Sequence, residues 1–382
     1  MRLLHTADLH IGKNLAGFSL IQDQEFALDR IMDVIESERP RVLLIAGDVY
    51  DKQSPSVEAV TLFDRFLTRA VKAGVIVMIN AGNHDAPERL AFGGELLQGA
   101  GVFIAAEPMI AYVDDAEFHL LPYVKPALAR RLYPEADITD YPGAVSAALT
   151  YLNDYLTAKD TKNTKKSAKR VLLAHQFFTS KGVSPVLSES ETGFAGGLDA
   201  VDTGVISGYR YDYVALGHLH GPQSVGRGEI RYAGSPLKYS FSECPHVKSV
   251  TLVEIGSNNG PKIKTIPLPS LRDMRKIRGP LEALLSPEAA EPESSGDYLH
   301  VTLTDENEIL DAMERLNAAY PNVMRLSYDN ARSALADEMP EPPDENAKNI
   351  SELFAEFFTA CNSAPMSAAQ ESAVKRLLYE ED

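Results

Sequence analysis

The chain has 382 residues, 45% of them hydrophobic, which is enough for two or three domains with filled cores and excludes whole-chain disorder. No run approaches the ~18 apolar residues of a membrane span, MRLLHTADLH lacks the apolar stretch of a signal peptide, and two cysteines, Cys244 and Cys361, exclude a disulfide framework or a thiolate metal cluster; a cytoplasmic protein is expected. A formal charge of −17 argues against a chain that coats nucleic acid with its own basic surface, although residues 337–382, with 11 acidic and 3 basic side chains, carry −8 of it.

RLLHTADLH opens as a strand and is followed by a helical segment around QEFALDRIMDVIES. RVLLIAGDVYD then leads into VEAVTLFDRFLTRAVKAG, and VIVMINAGNHD into PERLAFGGELLQ. Short apolar runs between amphipathic segments predict an α/β fold, its strands buried on both faces with helices on either side. In the second helix Val57, Val60, Phe63, Leu67 and Val71 follow helical spacing, and Leu62 and Phe66 widen the stripe. Packing of that stripe on the sheet is the simpler expectation; a dimer contact through the surplus is the sharper one.

PGAVSAALTYLNDYLTA (142–158) predicts another helix. KDTKNTKKSAKR (159–170) holds six basic residues and one acid, but it precedes the strand VLLAH, away from the carboxyl ends of the strands, and reads as a solvated loop. YDYVALGHLH, EIRYAGSP and SVTLVEIG add strands, and PLPSLRDM (267–274) marks a domain exit. Beyond it DMRKIRG, YLHVTLT and NVMRLSYD read as three strands, with a helix in ENEILDAMERLNAAY between the last two and a loop at PEAAEPESSGD. ADEMPEPPDENAKN (336–349) is an acidic, proline-rich linker. The tail forms two helices, the first with an apolar face of Ile350, Phe354, Phe357 and Phe358 suited to docking on a partner.

Five of these strands end in side chains that bind metals or move protons. They supply Asp8 and His10; Asp48 and Asp51; Asn83, His84 and Asp85; His175; and His218 and His220. The carboxyl ends of strands in open α/β sheets line one crevice, so the five ends predict one pocket. A single strand-end histidine is more often a satisfied core side chain; five of the nine histidines on such ends change the odds, and His5, His119, His246 and His300 keep the structural reading. Imidazoles and carboxylates without thiolate suit manganese, iron, zinc or cobalt. Two divalent ions facing Asp8 and Asp48 leave residual positive charge for a phosphate oxygen and an activated water. His84 is the candidate proton donor to the departing alkoxide, with the Asp51 carboxylate orienting it.

ADLH, GDVYD, GNHD, AHQ and GHLH resemble the ordered motif set of calcineurin-like metallophosphoesterases, and FAGGLDAVDTGV, YDYVALGHLHGPQ and RYAGSPLKYSFSE resemble the narrower SbcD family, the nuclease subunits of bacterial SbcCD complexes. The resemblance spans nearly the whole chain. It implies a two-sheet metallophosphoesterase sandwich flanked by helices (1–270), a small α+β capping domain (271–335), the linker (336–349) and C-terminal helices (350–382) that bind an SbcC-type ATPase. It further implies two Mn²⁺ ions, one held by Asp8, His10, Asp48 and His220 and the other by Asp48, Asn83, His175 and His218, with His84 as the catalytic histidine. The implied activity is exonuclease and endonuclease cleavage of DNA in repair, recombination and replication, by a nucleoid-associated homodimer. A stand-alone phosphatase or small-molecule phosphodiesterase would use the same centre, and a non-enzymatic scaffold is the third reading; the cap and the amphipathic tail weigh against the second and an adjacent acid–base pair against the third.

Overall fold

A computed structural model describes residues 1–156, 169–191, 199–256, 260–286, 296–307, 309–330, 350–362 and 364–379. The predicted linker 336–349 lies outside them, as do residues 159–168 of the basic stretch and 287–295 of the predicted loop. The chain divides into two compact units, Met1–Asp273 and Met274–Asp382.

In the first unit β1 (Arg2–Thr6), α1 (Ile21–Glu38), β2 (Val42–Ala46), α2 (Val57–Lys72), β3 (Ile76–Asn80) and β4 (Val102–Ala105) follow in order. Next come β5 (Met109–Val113), β6 (Ala116–Leu121), α3 (Tyr141–Thr150), β7 (Lys169–His175), β8 (Tyr213–Gly217), β9 (Gln223–Val225) and β10 (Arg227–Tyr232), then β11 (Ser249–Ile255) and β12 (Pro261–Pro267). One six-stranded sheet has the order β12-β11-β1-β2-β3-β4 and the other β9-β10-β8-β7-β6-β5. β1 to β4 run parallel, as do β6, β7, β8 and β10.

The period-2 alternation of each strand assigns its side chains to two different cores. Leu4, Leu43, Ile45, Val77 and Ile79 pack with the helical residues Ile31, Ile35, Phe63 and Phe66. Their neighbours Leu3, Val42, Leu44 and Met78 face Val171, Leu173, Tyr213 and Ala215 of the other sheet. Leu172, Val214 and Leu216 pack outward with Val145 and Leu149 of α3. The expectation of helices on both faces of one sheet is thereby corrected. A strand covered by a second sheet is as apolar on both sides as one covered by helices, so its sequence cannot tell the two apart.

α2 follows its reading in part: Leu62, Phe63 and Phe66 are buried and Leu67 and Val71 pack against the same core, while Val57 and Val60 are exposed (83% and 44%) and Ala59 and Ala70 lie buried instead. α3 continues as a π-helical turn, Tyr151–Leu156.

The second unit holds three parallel strands in the order β13 (Met274–Gly279), β14 (Tyr298–Leu303) and β15 (Val323–Tyr328), with α4 (Ala312–Ala319) between the last two in sequence. Leu281, Leu299, Val301, Leu316 and Val323 form its core. The helix predicted from residue 306 begins only at Ala312, because Asp311 takes a left-handed conformation (φ 59°). α5 (Ile350–Asn362) and α6 (Ala368–Tyr379) complete it, with Phe354 and Phe357 exposed. No helix among the described residues is long and apolar enough to cross a membrane.

Candidate metal centre

β1, β2, β3, β7 and β8 all deliver their carboxyl ends to one place. Asp8, His10, Asp48, His175, His218 and His220 are all buried there, while Asn83 and His84 are partly open. The sheets bring the turns together: His10 N–H donates to Asp48 O (2.9 Å), and His218 N–H to the Asp8 carboxylate (3.0 and 3.2 Å). His84 N–H donates to Asp48 Oδ1 (2.9 Å).

The side chains form two adjoining clusters around Asp48. Its Oδ2 lies 3.4 Å from His175 Nε2 and 3.7 Å from His10 Nε2. On one side His10 Nε2 and His220 Nε2 are 3.2 Å apart, and Asp8, His10 and His220 offer ligand atoms within 4.8 Å of one another. On the other, Asn83 Oδ1 is 2.9 Å from His175 Nε2 and 3.0 Å from His218 Nδ1. His175 Nδ1–H donates to Ala46 O (2.8 Å), which turns Nε2 toward the cluster. His218 and His220 reach different clusters because β8 stops at Gly217 and His218 leaves the extended conformation (φ 105°).

Four of these residues have positive φ: Asp8 (52°), His10 (43°), Asp48 (48°) and His218 (105°). Such backbone concentrates at functional sites, where surrounding structure enforces it. The electrostatics are those of a cation-binding pocket. Burial pushes the Asp8 carboxyl up to about 7, and burial holds the His10 and His218 imidazoles below their ordinary range. Burial also opposes the Asp48 charge, but His175 beside it outweighs that and keeps its carboxyl well below the usual carboxylate range. Reciprocally, Asp48 overcomes burial and raises His175 to about 9. Carboxylates and imidazoles crowded in this way fit divalent cations, whose charge offsets what burial costs the anions and would take the place of the proton on His175.

The expectation for Asp51 is corrected. His84 Nδ1–H donates to the main-chain O of Asp51 (2.9 Å), while the Asp51 carboxylate pairs with Lys13 Nζ (2.7 Å) and lies 3.8 Å from His10 Nδ1. Asp85, gathered with the strand ends above, is a clamp: its carboxylate accepts from Gly82, Val49 and Tyr50 N–H (2.9, 3.2 and 3.0 Å) and ties the GDVYD and GNHD turns together. The four histidines left to structure include His5, buried against Tyr213 Oη (2.9 Å), and His119, against Tyr211 Oη (2.7 Å).

The model of the calcineurin-like phosphoesterase family matches residues 1–222. A second, SbcD_C, described as the type 5 capsule protein repressor C-terminal domain, matches residues 270–362. The SbcD subunit of the SbcCD nuclease of Staphylococcus epidermidis is 29% identical over 392 aligned residues, covering 99% of this chain and 98% of that protein. Its counterpart in Staphylococcus saprophyticus is 30% identical over 336, covering 86% and 84%. The chain belongs to the SbcD family of calcineurin-like phosphoesterases.

Sequence reasoning missed several side chains that frame this SbcD-family site. β6, which the strand reading passed over, delivers Tyr123, whose ring stacks on His218 (centroids 6.1 Å apart, 19° between planes). Tyr239 sets its ring edge-on to His10 and His220 (5.3 and 5.5 Å) and hydrogen-bonds Leu9 O. Glu191 and Glu243 lie buried behind His220. Tyr239 and Glu243 both belong to AGSPLKYSFSE, a stretch whose only signal had been its resemblance to the family. Close packing also fixes Gly82, where a β-carbon would overlap Asp48 Oδ1 and main-chain N. Gly82→Ala is expected to lower cation affinity and the thermal midpoint together, measured by Mn²⁺ titration and calorimetry, since the neighbour that must give way is backbone.

Proposed function

We propose that this chain is the nuclease subunit of an SbcCD-type complex and hydrolyses DNA phosphodiester bonds with two divalent cations, Mn²⁺ in the cell. The observation that carries this reading is the position of Asp48 Oδ2 between two nitrogen- and oxygen-donor clusters, 3.4 and 3.7 Å from the nearest imidazole nitrogens. Asp8, His10, Asp48 and His220 would hold one cation, and Asp48, Asn83, His175 and His218 the other. When bound, such a pair neutralises the phosphate and activates a water for in-line displacement. His84 is partly open and its ring meets that of His10 edge-on at 4.8 Å. With Nδ1–H anchored on Asp51 O, its protonated form has Nε2–H free to give to the departing alkoxide. The Asp51 carboxylate pairs with Lys13 and lies beside His10.

The nuclease reading, as against a small phosphoester, is supported by near-full-length similarity to proteins named as SbcCD nuclease subunits. Purified protein with Mn²⁺, alone and with an SbcC-type ATPase, is expected to cleave single-stranded DNA. Hydrolysis of an aryl phosphodiester without DNA cleavage in either setting would favour the small-molecule enzyme.

The same reading includes a homodimer, DNA contacts from the second unit, docking of α5 and α6 on the ATPase, and action at the nucleoid. Exposed Val57, Phe92 (87%) and Leu96 (86%) support self-association; Arg89, three residues before Phe92, donates to Gln53 O (3.0 Å) in the loop that leads to α2. Val57→Lys/Phe92→Lys is expected to halve the mass measured by light scattering while leaving Mn²⁺ stoichiometry at two per chain.

A further inference from the structure

Hydrolysis as described makes no use of Glu243. After β10 the chain passes through Gly234–Ser240 into a short 3-10 turn, Phe241–Glu243, which places this carboxylate behind His220 and fully out of solvent. Glu243 Oε1 accepts from Ser190 Oγ (2.9 Å) and Ser240 Oγ (3.0 Å) and lies 3.3 Å from His220 Nδ1, which Ser190 Oγ approaches more closely still (3.0 Å); Oε2 is 2.6 Å from Lys248 Nζ. Lys248, itself 6% exposed, also donates to His220 O and Ser235 Oγ, each at 2.9 Å. Glu191 Oε1 accepts His220 N–H (2.5 Å). His220 is thus held at its ring, its amide and its carbonyl by buried charged groups.

A buried ion pair is often no more stabilising than apolar residues of the same volume, so fold stability alone does not explain one here. Its geometry does. The Glu243 carboxylate, together with the Ser190 hydroxyl that donates to it, leaves only acceptors facing Nδ1, which makes that nitrogen the proton-bearing one and leaves the Nε2 lone pair pointing at His10 and Asp8; it also makes the ring a stronger donor. His175, on the other side of Asp48, rests its Nδ1–H on a neutral amide carbonyl, a weaker partner.

We propose that Glu243, paired with Lys248, is a positioning residue for His220, and that it makes the cation position formed by Asp8, His10, Asp48 and His220 the tighter of the two. This rests on the two-cation reading above. Glu243 is placed to hold the tautomer, Lys248 to keep the carboxylate aimed, and the AGSPLKYSFSE stretch thereby acquires a role at the metal centre.

Calorimetric Mn²⁺ titration of cation-free protein tests it, with the thermal midpoint followed in parallel. Wild type is expected to bind two ions in separable events. Glu243→Gln should weaken the tighter event by about 10–100-fold and leave the weaker one unchanged. Glu243→Gln alone strands the Lys248 ammonium, so Glu243→Gln/Lys248→Met is the companion: it should regain the thermal midpoint and keep the weakened tight event. Recovery of both midpoint and affinity in the double variant would reduce Glu243 to a structural role and overturn the proposal, as would equal weakening of both events in the single one. Fewer than two ions in wild type would instead defeat the two-cation reading, and the proposal with it.

Discussion

His84→Gln should lower the rate of DNA cleavage by about 10²–10⁴-fold, the range for loss of a positioned general acid, while two Mn²⁺ ions still bind. The main-chain N–H of His84 on Asp48 Oδ1 survives any change of side chain, and glutamine gives up only the edge-on ring contact with His10. Glutamine keeps bulk and a hydrogen bond to Asp51 O but cannot transfer the proton. The deficit should also shrink on an aryl phosphodiester, whose leaving group departs without protonation. Calorimetry and single-turnover cleavage of both substrates check this. An unchanged rate on DNA, or loss of metal together with activity, would remove His84 from the donor role.

Asp48→Ala should be the most damaging single change. Both clusters lose the oxygen they share, so Mn²⁺ stoichiometry should fall from two to one or none and cleavage to background at any Mn²⁺ concentration. The variant also has a signature in cation-free protein. In wild type Asp48 holds His175 protonated, up to about 9, so that stabilisation is complete below the unfolded value near 6.5 and is lost as pH rises through about 9. Asp8, raised to about 7 by burial, acts in the same sense at lower pH. Unfolding of cation-free wild type should therefore become easier as pH rises from about 6.5 to 9, and this His175-linked slope should vanish in Asp48→Ala. Equilibrium denaturation across that window and NMR titration of His175 are the measurements. A wild-type curve flat over the window would show that the Asp48–His175 pair is not coupled in this way.

Much of this centre was legible because metal-binding side chains at strand ends declare themselves in one dimension. Asp8, His10, Asp48, Asn83, His84, His175, His218 and His220 each stand just after or at the end of an apolar run, and parallel strand order does the rest. Their supports were not legible for the same reason reversed. Glu191 and Glu243 lie in short segments with no period to mark them, and Tyr123 lies beyond Pro122, past the end of the strand AEFHLL and outside its alternation. The Asp51 carboxylate was assigned from residue type, whereas its main-chain oxygen makes the bond to His84; a sequence carries no sign of which atom of a residue is used. Likewise a second sheet and a layer of helices impose the same apolar pattern on a strand, so the sandwich was available only from resemblance.

The left-handed turns at Asp8 and Asp48 bear on how this centre can be dissected. An alanine there retains a β-carbon in a conformation that costs about 1–2 kcal/mol for an ordinary L-residue, whereas glycine enters it freely. Truncation to glycine should therefore leave a sturdier apoprotein than truncation to alanine, the reverse of the order seen in a helix, and thermal midpoints of Asp8→Gly and Asp8→Ala would reveal it. Since the wild-type aspartates carry the same β-carbon, an alanine series holds that cost nearly constant and reads lost coordination, while a glycine series adds its relief.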